Sequence, residues 1–361
     1  MIFFCLRILF AQLLISSLLQ ELHALVQLPP NMTVPAIFAF GDSILDAGMN
    51  NDYPTLCKTN HAPYGRDFKG SKPTGRFSNG YIPTDILAQE LGIKEMVPSY
   101  LDEGLSLNDM LTGVSFACGC SGWDPSTSRA RYTARTLAEQ YGYFEEYIVN
   151  MKLQVGDDNV SSIVSQAVYL VGTGVNDFLN NYDDPLSERR RNHDLASYTD
   201  LLIRFASNSL KALYSLGARR IGIFNIPPYG HIPFSRTTAG GIFRAPVADF
   251  DNAANLFNFK LQTLIDSLNR NFPGAKFAYL DIYSKLMYVI ENAADFGCKV
   301  NDRGCCGTGL VEMGVACNGL VDIFSCKNNS EYVFWDAAHP TEQINQYLVT
   351  TLTAENLHKF F

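Results

Sequence analysis

Four short apolar runs, separated by stretches with helical periodicity, are the feature that most constrains the fold of this chain. Each run is almost continuously apolar, which is typical of strands buried on both faces of a parallel sheet. From position 247 onward, apolar residues recur at spacings of three and four, as they do along one face of a helix. We therefore predict an α/β protein whose mostly parallel sheet is covered on both faces. The four runs are AIFAF (36–40), AVYLVGTG (167–174), RRIGIFNIPP (219–228) and KFAYLDIY (276–283).

Composition limits the number of domains and the class of partner. The 361 residues are 47% hydrophobic, and no linker or low-complexity tract divides them, so we expect residues 25–361 to form one domain. The formal net charge is -8, which disfavours a nucleic-acid partner. The basic run ERRRNH at 188–193 follows two aspartates and is interpreted as a solvated loop or helix start.

The first 24 residues are typical of a secretory signal peptide. One basic residue precedes an apolar stretch that is too short and too polar to span a bilayer. We expect cleavage after Ala24, an extracellular protein and no stable membrane insertion. The alternative is an uncleaved anchor, although no stop-transfer pattern follows. Three N-x-S/T sequons, at Asn31, Asn159 and Asn328, agree with secretion and are candidate glycosylation sites.

Cysteine usage agrees with an oxidising compartment. Of nine cysteines, Cys5 would leave with the signal peptide, and five of the remaining eight lie within residues 298–326. No C-x-x-C pair occurs, so the ligand spacing typical of a zinc site is missing. We predict several disulfides in the 298–326 segment and few or no free thiols, with the pairing left open.

Ser43 follows the first apolar run, within FAFGDSILDAG. In parallel sheets, ligands bind at the carboxyl ends of the strands, so this serine is either an ordinary N-cap or a nucleophile. A nucleophilic serine needs a base, and the base needs a group that orients it. The polar pair Asn176–Asp177 follows a second apolar run and falls at the same edge of the predicted sheet.

The candidate base stands in YVFWDAAHPTEQINQYL. Asp336 and His339 are three residues apart, a spacing that lets the carboxylate accept the imidazole Nδ1–H. The structural alternative is a turn or N-cap aspartate, with a histidine that merely precedes proline. His61 and His231 lie in proline-rich loops and are interpreted as structural residues or as pocket residues.

A serine hydrolase also needs donors for the developing oxyanion. The loop GVSFACGCSG (113–122) has small residues that allow a close backbone approach, and GTGVND (172–177) offers the side-chain amide of Asn176. Taken singly, a disulfide-bearing turn and an ordinary Asn-Asp turn would explain these stretches. Their occurrence at strand ends together with a serine and an Asp-x-x-His favours a catalytic site.

These motifs resemble the plant-type GDSL esterase/lipase family of the SGNH hydrolase superfamily. The resemblance covers nearly the whole mature chain, in the order FAFGDSILDAGMNN, TGRFSNG, GVSFACGCSG, VGTGVNDFLNNY, CCGTG and FWDAAHPTE. It implies a flavodoxin-like SGNH hydrolase fold, with three α/β/α layers and a central, mostly parallel five-stranded sheet. It implies Ser43 as nucleophile and His339 as base oriented by Asp336. It also implies an oxyanion hole formed by Ser43, Gly119 and Asn176, and no metal or organic cofactor.

The loop GVSFACGCSG departs from the family pattern N-F-A-S-G-G-x-G at three positions. Ser115 replaces Asn, Cys118 replaces Ser, and Cys120 replaces the second Gly. By alignment, Gly119 is the expected oxyanion residue and Gly122 is the alternative. A disulfide from Cys118 or Cys120 could tie this loop to the cysteine-rich segment.

The sequence therefore predicts a secreted serine esterase or lipase that hydrolyses carboxylic esters through an acyl-enzyme. The expected partner is a small-molecule ester, a lipid or an acylated carbohydrate, and the protein is expected to be a monomer. Two alternatives stay open: an acyltransferase of the same fold, in which an alcohol replaces water, and a secreted non-catalytic binding protein on a hydrolase scaffold. The altered glycine loop is the feature that favours the second alternative.

Overall fold

The structure is a computed structural model that describes residues 28–30, 32–130 and 134–361. The signal peptide predicted for residues 1–24 and the sequon at Asn31 lie outside these residues. Within the described ranges, no helix has the length and apolar character needed to cross a bilayer.

Four parallel strands form the central sheet, in the spatial order β1-β2-β3-β4. They are β1 (Ile37–Gly41), β2 (Val168–Gly172), β3 (Arg220–Phe224) and β4 (Lys276–Leu280). Each strand lies within the apolar run that predicted it, and every residue of β1 and β2 is buried. Because the strands are parallel, their carboxyl ends lie along one edge of the sheet.

The resemblance implied a fifth strand, and an irregular segment lies beside β1 instead. Residues 112–118 run beside β1, where the Phe116 N–H donates to the Ala39 carbonyl at 2.8 Å. Ala39 and Ser115 form an isolated bridge there instead of a ladder of pairs. Gly113, with φ of 99°, takes the start of the segment out of the extended conformation, which shortens the pairing. The predicted fold class is confirmed, with four regular strands rather than five.

Helices cover both faces of this sheet. The helices are α1 (Pro83–Glu90), α2 (Leu107–Leu111), α3 (Pro125–Ala130), α4 (Leu137–Val155), α5 (Asp157–Gln166), α6 (Val175–Asp177), α7 (Glu188–Asn192), α8 (Leu195–Ser215), α9 (Pro233–Ala239), α10 (Ala248–Asn271), α11 (Ile282–Glu291) and α12 (Glu342–Asn356). On one face, Leu87 of α1 and Val349 of α12 approach Leu170 of β2. On the other face, Phe144 of α4 packs on Phe38 of β1, and α8 and α10 complete that layer.

A second, two-stranded sheet pairs β5 (Val300–Gly304) with β6 (Tyr332–Phe334) on either side of the cysteine-rich segment. A π-helix, Phe178–Tyr182, continues α6. The 3-10 helices are Ala293–Phe296, Gly314–Ala316, Asp322–Phe324, Asn329–Glu331 and Leu357–Phe360. β6 leads directly into the loop of Asp336 and His339, so this small sheet determines where that loop lies.

Local sequence explains where the principal helices begin and which face they bury. Pro83 occupies the first turn of α1, and the Asp85 carboxylate accepts the Ile82 N–H that precedes the helix. In α10, the spacing of three and four places one apolar stripe against the sheet. The buried members of that stripe include Phe257, Leu261, Ile265 and Leu268.

Candidate active site

Ser43 lies in a tight turn directly after β1. Gly41 ends the strand with φ of 125°, and a side chain there would collide with the Gly172 carbonyl at the end of β2. Only glycine tolerates both the positive φ and this close approach. The next N–H, that of Asp42, donates to the same Gly172 carbonyl at 2.9 Å. The turn therefore brings Ser43 over the carboxyl end of the sheet, as the sequence predicted.

A continuous line of hydrogen bonds joins Ser43, His339 and Asp336. The Ser43 Oγ lies 2.7 Å from His339 Nε2. On the far side of the ring, His339 Nδ1 lies 2.8 Å from Asp336 Oδ2 and 2.9 Å from Oδ1. The structure thus brings together the three residues that the sequence predicted to act as nucleophile, base and orienting carboxylate.

The Asp336 loop preorganises its own carboxylate. The N–H groups of Ala338 and His339 both donate to Asp336 Oδ1, at 2.9 and 2.8 Å. The Asp-x-x-His spacing is therefore also a local turn, in which the aspartate side chain bonds the backbone two and three residues on. Asp336 therefore forms the turn of the structural alternative and also contacts the imidazole, as the catalytic alternative requires.

The imidazole of His339 is enclosed between charged and aromatic neighbours. Its ring centroid lies 5.0 Å from that of Phe77. Burial lowers the pKa of His339, but the charge and hydrogen bond of Asp336, aided by the charge of Asp42, outweigh burial and raise the net pKa above its ordinary value. Asp336 thus stabilises the protonated imidazole, which is the form that a histidine has once it has accepted a proton.

Tyr64 is a site residue that the sequence did not reveal. Its buried hydroxyl donates to Asp336 Oδ2 at 2.7 Å and accepts the Gly314 N–H at 2.8 Å. Burial, together with the negative charge of Asp336, raises the pKa of Tyr64 well above its ordinary value, so the phenol keeps its proton. The nearby His61, a candidate pocket residue, lies edge-on to Tyr64 and contacts the backbone carbonyls of its own loop.

His231, the other alternative base, belongs to a different pair. Its Nδ1 lies 2.7 Å from Asp251 Oδ2, an aspartate that also accepts the Gly230 N–H. Neither His61 nor His231 reaches Ser43, whose Oγ is engaged by His339.

In the glycine loop, the N–H of the predicted oxyanion residue, Gly119, already has a partner. The Gly119 N–H donates to the buried Asp46 carboxylate at 2.6 Å, and a side chain at Gly119 would come within 2.6 Å of the Phe77 ring. Gly122 packs against Asp177, away from Ser43. Cys120 is the residue of this loop that lines the cavity beside Ser43.

Backbone N–H groups from the Ser43 turn and from the glycine loop are the oxyanion donors that the sequence analysis predicted. Those of Ser43 and Cys120 make no hydrogen bond to any other residue within 28–30, 32–130 and 134–361. Asp46 thus engages the Gly119 N–H, the donor that the resemblance implied, whereas the adjacent Cys120 N–H has no such partner.

Asn176 reaches the same cavity from α6, as predicted. Its Nδ2 donates to the Ser121 carbonyl at 3.0 Å and lies 3.5 Å from Asp42 Oδ2. Its Oδ1 accepts from Asn180 Nδ2 at 3.1 Å, which fixes the orientation of the amide. Burial raises the pKa of Asp42 to about 6, although the Ile44 N–H and the charge of His339 counteract the shift.

The cavity beside these groups has a volume of about 300 Å³. One wall comes from the strand ends and the helices that follow them, and the opposite wall comes from the cysteine-rich segment. Most of the lining side chains are apolar, which suits the hydrocarbon part of a ligand. They include Leu179, Phe224, Ile226, Ile282, Met313 and Val315.

A family model described as GDSL-like Lipase/Acylhydrolase matches residues 37–351. The chain belongs to this family. It is 43% identical to GDSL esterase/lipase EXL3 of Arabidopsis thaliana over 342 residues, which cover 95% of this chain and 93% of that protein. It is 42% identical to GDSL esterase/lipase EXL2 of the same plant, over 91% of this chain and 89% of that protein. The resemblance drawn from the motifs is confirmed, and the protein is a carboxylic ester hydrolase.

The disulfides of this GDSL hydrolase differ from the predicted pattern in two respects. Cys305–Cys326 and Cys306–Cys317 lie in the cysteine-rich segment, as expected. Cys120 pairs with Cys57 rather than with that segment, and both residues line the cavity. The remaining two cysteines of the described residues are Cys118 and Cys298, both free and buried.

Within the described residues of this GDSL hydrolase, no group of three or more His, Cys, Asp or Glu side chains could hold a metal ion. The described sequons, Asn159 in α5 and Asn328 before a 3-10 helix, are both exposed.

Proposed function

We propose that this GDSL hydrolase is a secreted serine esterase that cleaves carboxylic esters through an acyl-enzyme formed on Ser43. The observation that carries the proposal is the hydrogen-bonded line from Ser43 Oγ through His339 to Asp336, at the wall of an apolar cavity. In serine hydrolases, the same arrangement of nucleophile, base and orienting carboxylate activates the hydroxyl.

Acylation begins with neutral His339. Its Nε2 accepts the Ser43 proton while Oγ attacks the ester carbonyl carbon, and the new positive charge on the ring faces Asp336. Asp336 keeps the Nδ1–H tautomer, which leaves Nε2 free to accept the proton. Protonated His339 then gives that proton to the departing alcohol, and the acyl group stays on Ser43.

We assign three donors to the tetrahedral oxyanion: the N–H groups of Ser43 and Cys120 and the side-chain amide of Asn176. All three residues line the cavity. Such donors stabilise the transition state because they are oriented before charge develops. Water, activated by His339, then attacks the acyl-enzyme and releases the acid by the same sequence of proton transfers.

The acyl group is proposed to occupy the apolar cavity. Its volume of about 300 Å³ exceeds what an acetyl group needs, so we expect medium-length acyl chains to be preferred over acetyl. Apolar lining side chains favour such a chain over a sugar in this part of the site.

Secretion is supported by the sequence and by the cysteines. The first 24 residues have the pattern of a signal peptide. Disulfides persist in oxidising compartments, and six cysteines of the described residues are paired. Exposed Asn159 and Asn328 are proposed as glycosylation sites of the mature protein.

The test is hydrolysis of p-nitrophenyl esters from acetate to laurate, together with labelling by a fluorophosphonate probe. Ser43→Ala should abolish both, because it removes the nucleophile. Ser215→Ala is the matched control, since Ser215 is exposed on α8 and bonds only its own helix. Equal labelling of wild type and Ser43→Ala would refute the proposal.

A further inference from the structure

A disulfide forms part of the cavity wall beside the nucleophile. Cys57 and Cys120 are joined across 63 residues of sequence, and both line the cavity with Ser43. The bridge between Cys305 and Cys326, in contrast, lies outside the lining of this cavity. The Cys57–Cys120 bridge is thus in a position to affect catalysis. The Cys305–Cys326 bridge serves as the control, because it does not line the cavity.

Cys120 has a backbone conformation that an L-residue rarely adopts. Its φ is 64°, in the left-handed region that glycine enters freely. The family pattern has glycine at this position, and this chain has a cysteine. A residue with a Cβ keeps such a conformation only where its surroundings hold it there.

Asn50 holds the peptide group that carries the Cys120 N–H. Its buried Nδ2 donates to the Gly119 carbonyl at 3.2 Å and to the Cys57 carbonyl at 2.9 Å. The Gly119 carbonyl and the Cys120 N–H belong to one planar trans peptide and point in opposite directions. Binding the carbonyl to Asn50 therefore directs the N–H away from Asn50, and the Cys57–Cys120 bridge links the same two segments covalently.

We propose that the Cys57–Cys120 disulfide is a positioning element of the oxyanion hole, which holds the Cys120 N–H in its donating orientation. The inference rests on the proposed esterase function. Opening the bridge removes the covalent restraint and lets Cys120 leave the left-handed region. One donor then moves away from the developing oxyanion, while the cavity that binds the substrate remains.

The same bridge makes the reaction sensitive to dithiols. A dithiol such as dithiothreitol attacks one sulfur as its thiolate, forms a mixed disulfide and releases the other cysteine as a thiolate. The second thiol of the reagent then displaces the first cysteine. The products are two protein thiols and the cyclic, oxidised reagent. Cys120 is half-buried on the cavity wall, so the cavity gives a small reagent access to it.

The first experiment compares Cys57→Ser/Cys120→Ser with wild type and with the control Cys305→Ser/Cys326→Ser. We expect kcat of the first variant to fall about 10–100-fold, less than or equal to the loss of a whole oxyanion donor. KM should stay within about threefold, because the lost interaction is made only in the transition state. The control should lose thermal stability but keep kcat within about twofold of wild type.

A rescue variant separates positioning from mere stability. Cys57→Ser/Cys120→Gly also lacks the bridge, but glycine adopts the positive φ without strain. We expect its kcat to exceed that of the double serine variant by about tenfold, since Asn50 still binds the Gly119 carbonyl. Equal kcat values for the two variants, with both folded, would contradict the proposal.

Reduction of the native enzyme decides the matter if a variant does not fold. Aliquots treated with dithiothreitol are alkylated and digested, and mass spectrometry reports which bridge has opened. The fall in kcat should follow the opening of Cys57–Cys120 and not that of Cys305–Cys326. Full kcat with Cys57–Cys120 reduced would overturn the inference. A wild type without Ser43-dependent hydrolysis would instead overturn the proposed function, and the inference with it.

Discussion

Replacing Tyr64 with phenylalanine removes the hydroxyl that donates to Asp336 and leaves the aromatic ring in place. The Asp336 carboxylate accepts four hydrogen bonds: two backbone N–H groups bond Oδ1, His339 Nδ1 approaches both oxygens, and the Tyr64 hydroxyl bonds Oδ2. In Tyr64→Phe, Oδ2 keeps only the imidazole. The Gly314 N–H also loses its acceptor.

The size of the effect follows from the burial and charge of these groups. A hydrogen bond to a charged group is worth about 1.5–3 kcal/mol, and an orphaned buried donor costs about 1–3 kcal/mol. We therefore expect the free energy of unfolding to fall by roughly 2–4 kcal/mol. Without the phenol, more of the Asp336 charge acts on His339, so the pKa of His339 should rise further.

The assay is kcat/KM against pH on one ester. His339 accepts a proton only when neutral, so activity falls as the pH drops through its pKa. The acid limb of Tyr64→Phe should therefore lie at higher pH than that of wild type, with a several-fold loss near pH 7 and a smaller loss near pH 9. A residue with a purely structural role would lower stability without moving this limb.

Tyr147→Phe is the matched control. Tyr147 is also fully buried, and its hydroxyl donates to the Met110 carbonyl at 2.9 Å; neither residue lines the cavity. It should lose about 1 kcal/mol of stability and keep the wild-type pH profile. If Tyr64→Phe and Tyr147→Phe have the same acid limb, Tyr64 does not position Asp336 for catalysis.

Four further results are expected. Asn176→Ala should lower kcat by about 10²–10³-fold at similar KM, and an unchanged kcat would exclude it as an oxyanion donor. In wild type, the acid limb of kcat/KM should lie above pH 6.5, because Asp336 raises the net pKa of His339; a limb below that value would contradict this. His339→Ala should be nearly as inactive as Ser43→Ala, and Asp336→Asn less impaired, which the ratio of their kcat/KM values will show. Thiol titration of unfolded, unreduced protein should find the two free cysteines of the described residues; finding none would show a fourth bridge.

The central sheet and the Asp336–His339 pair could be predicted because they depend on local patterns. Buried parallel strands are almost continuously apolar, so β1 to β4 were recognisable one at a time. Asp336 and His339 are three residues apart in one turn, and their mutual geometry is fixed by that spacing. Their closeness to Ser43 depends instead on the small sheet of β5 and β6, which no local pattern predicted.

The remaining site features depend on contacts between distant segments, which no local pattern reveals. Tyr64 meets Asp336 across 272 residues, and its surrounding loop has no motif that points to the carboxylate. The pairing of Cys57 with Cys120 is one of many that the cysteine count allows. Alignment could not tell which N–H of Gly119 and Cys120 is free, because the answer depends on where the Asp46 carboxylate points.

The cysteine-rich segment offers a way to alter the lining of the cavity without touching the residues around Ser43. Val311, Met313 and Val315 line the cavity from a loop that the Cys306–Cys317 bridge closes, while Ser43 and its partners stand on the sheet edge and the loop after β6. Part of the proposed acyl-binding wall is thus encoded apart from the residues proposed to cleave the ester bond. A mutant library confined to these three codons should alter the preferred acyl-chain length and leave fluorophosphonate labelling intact. Directed evolution therefore has a compact target here, and natural divergence could use the same one.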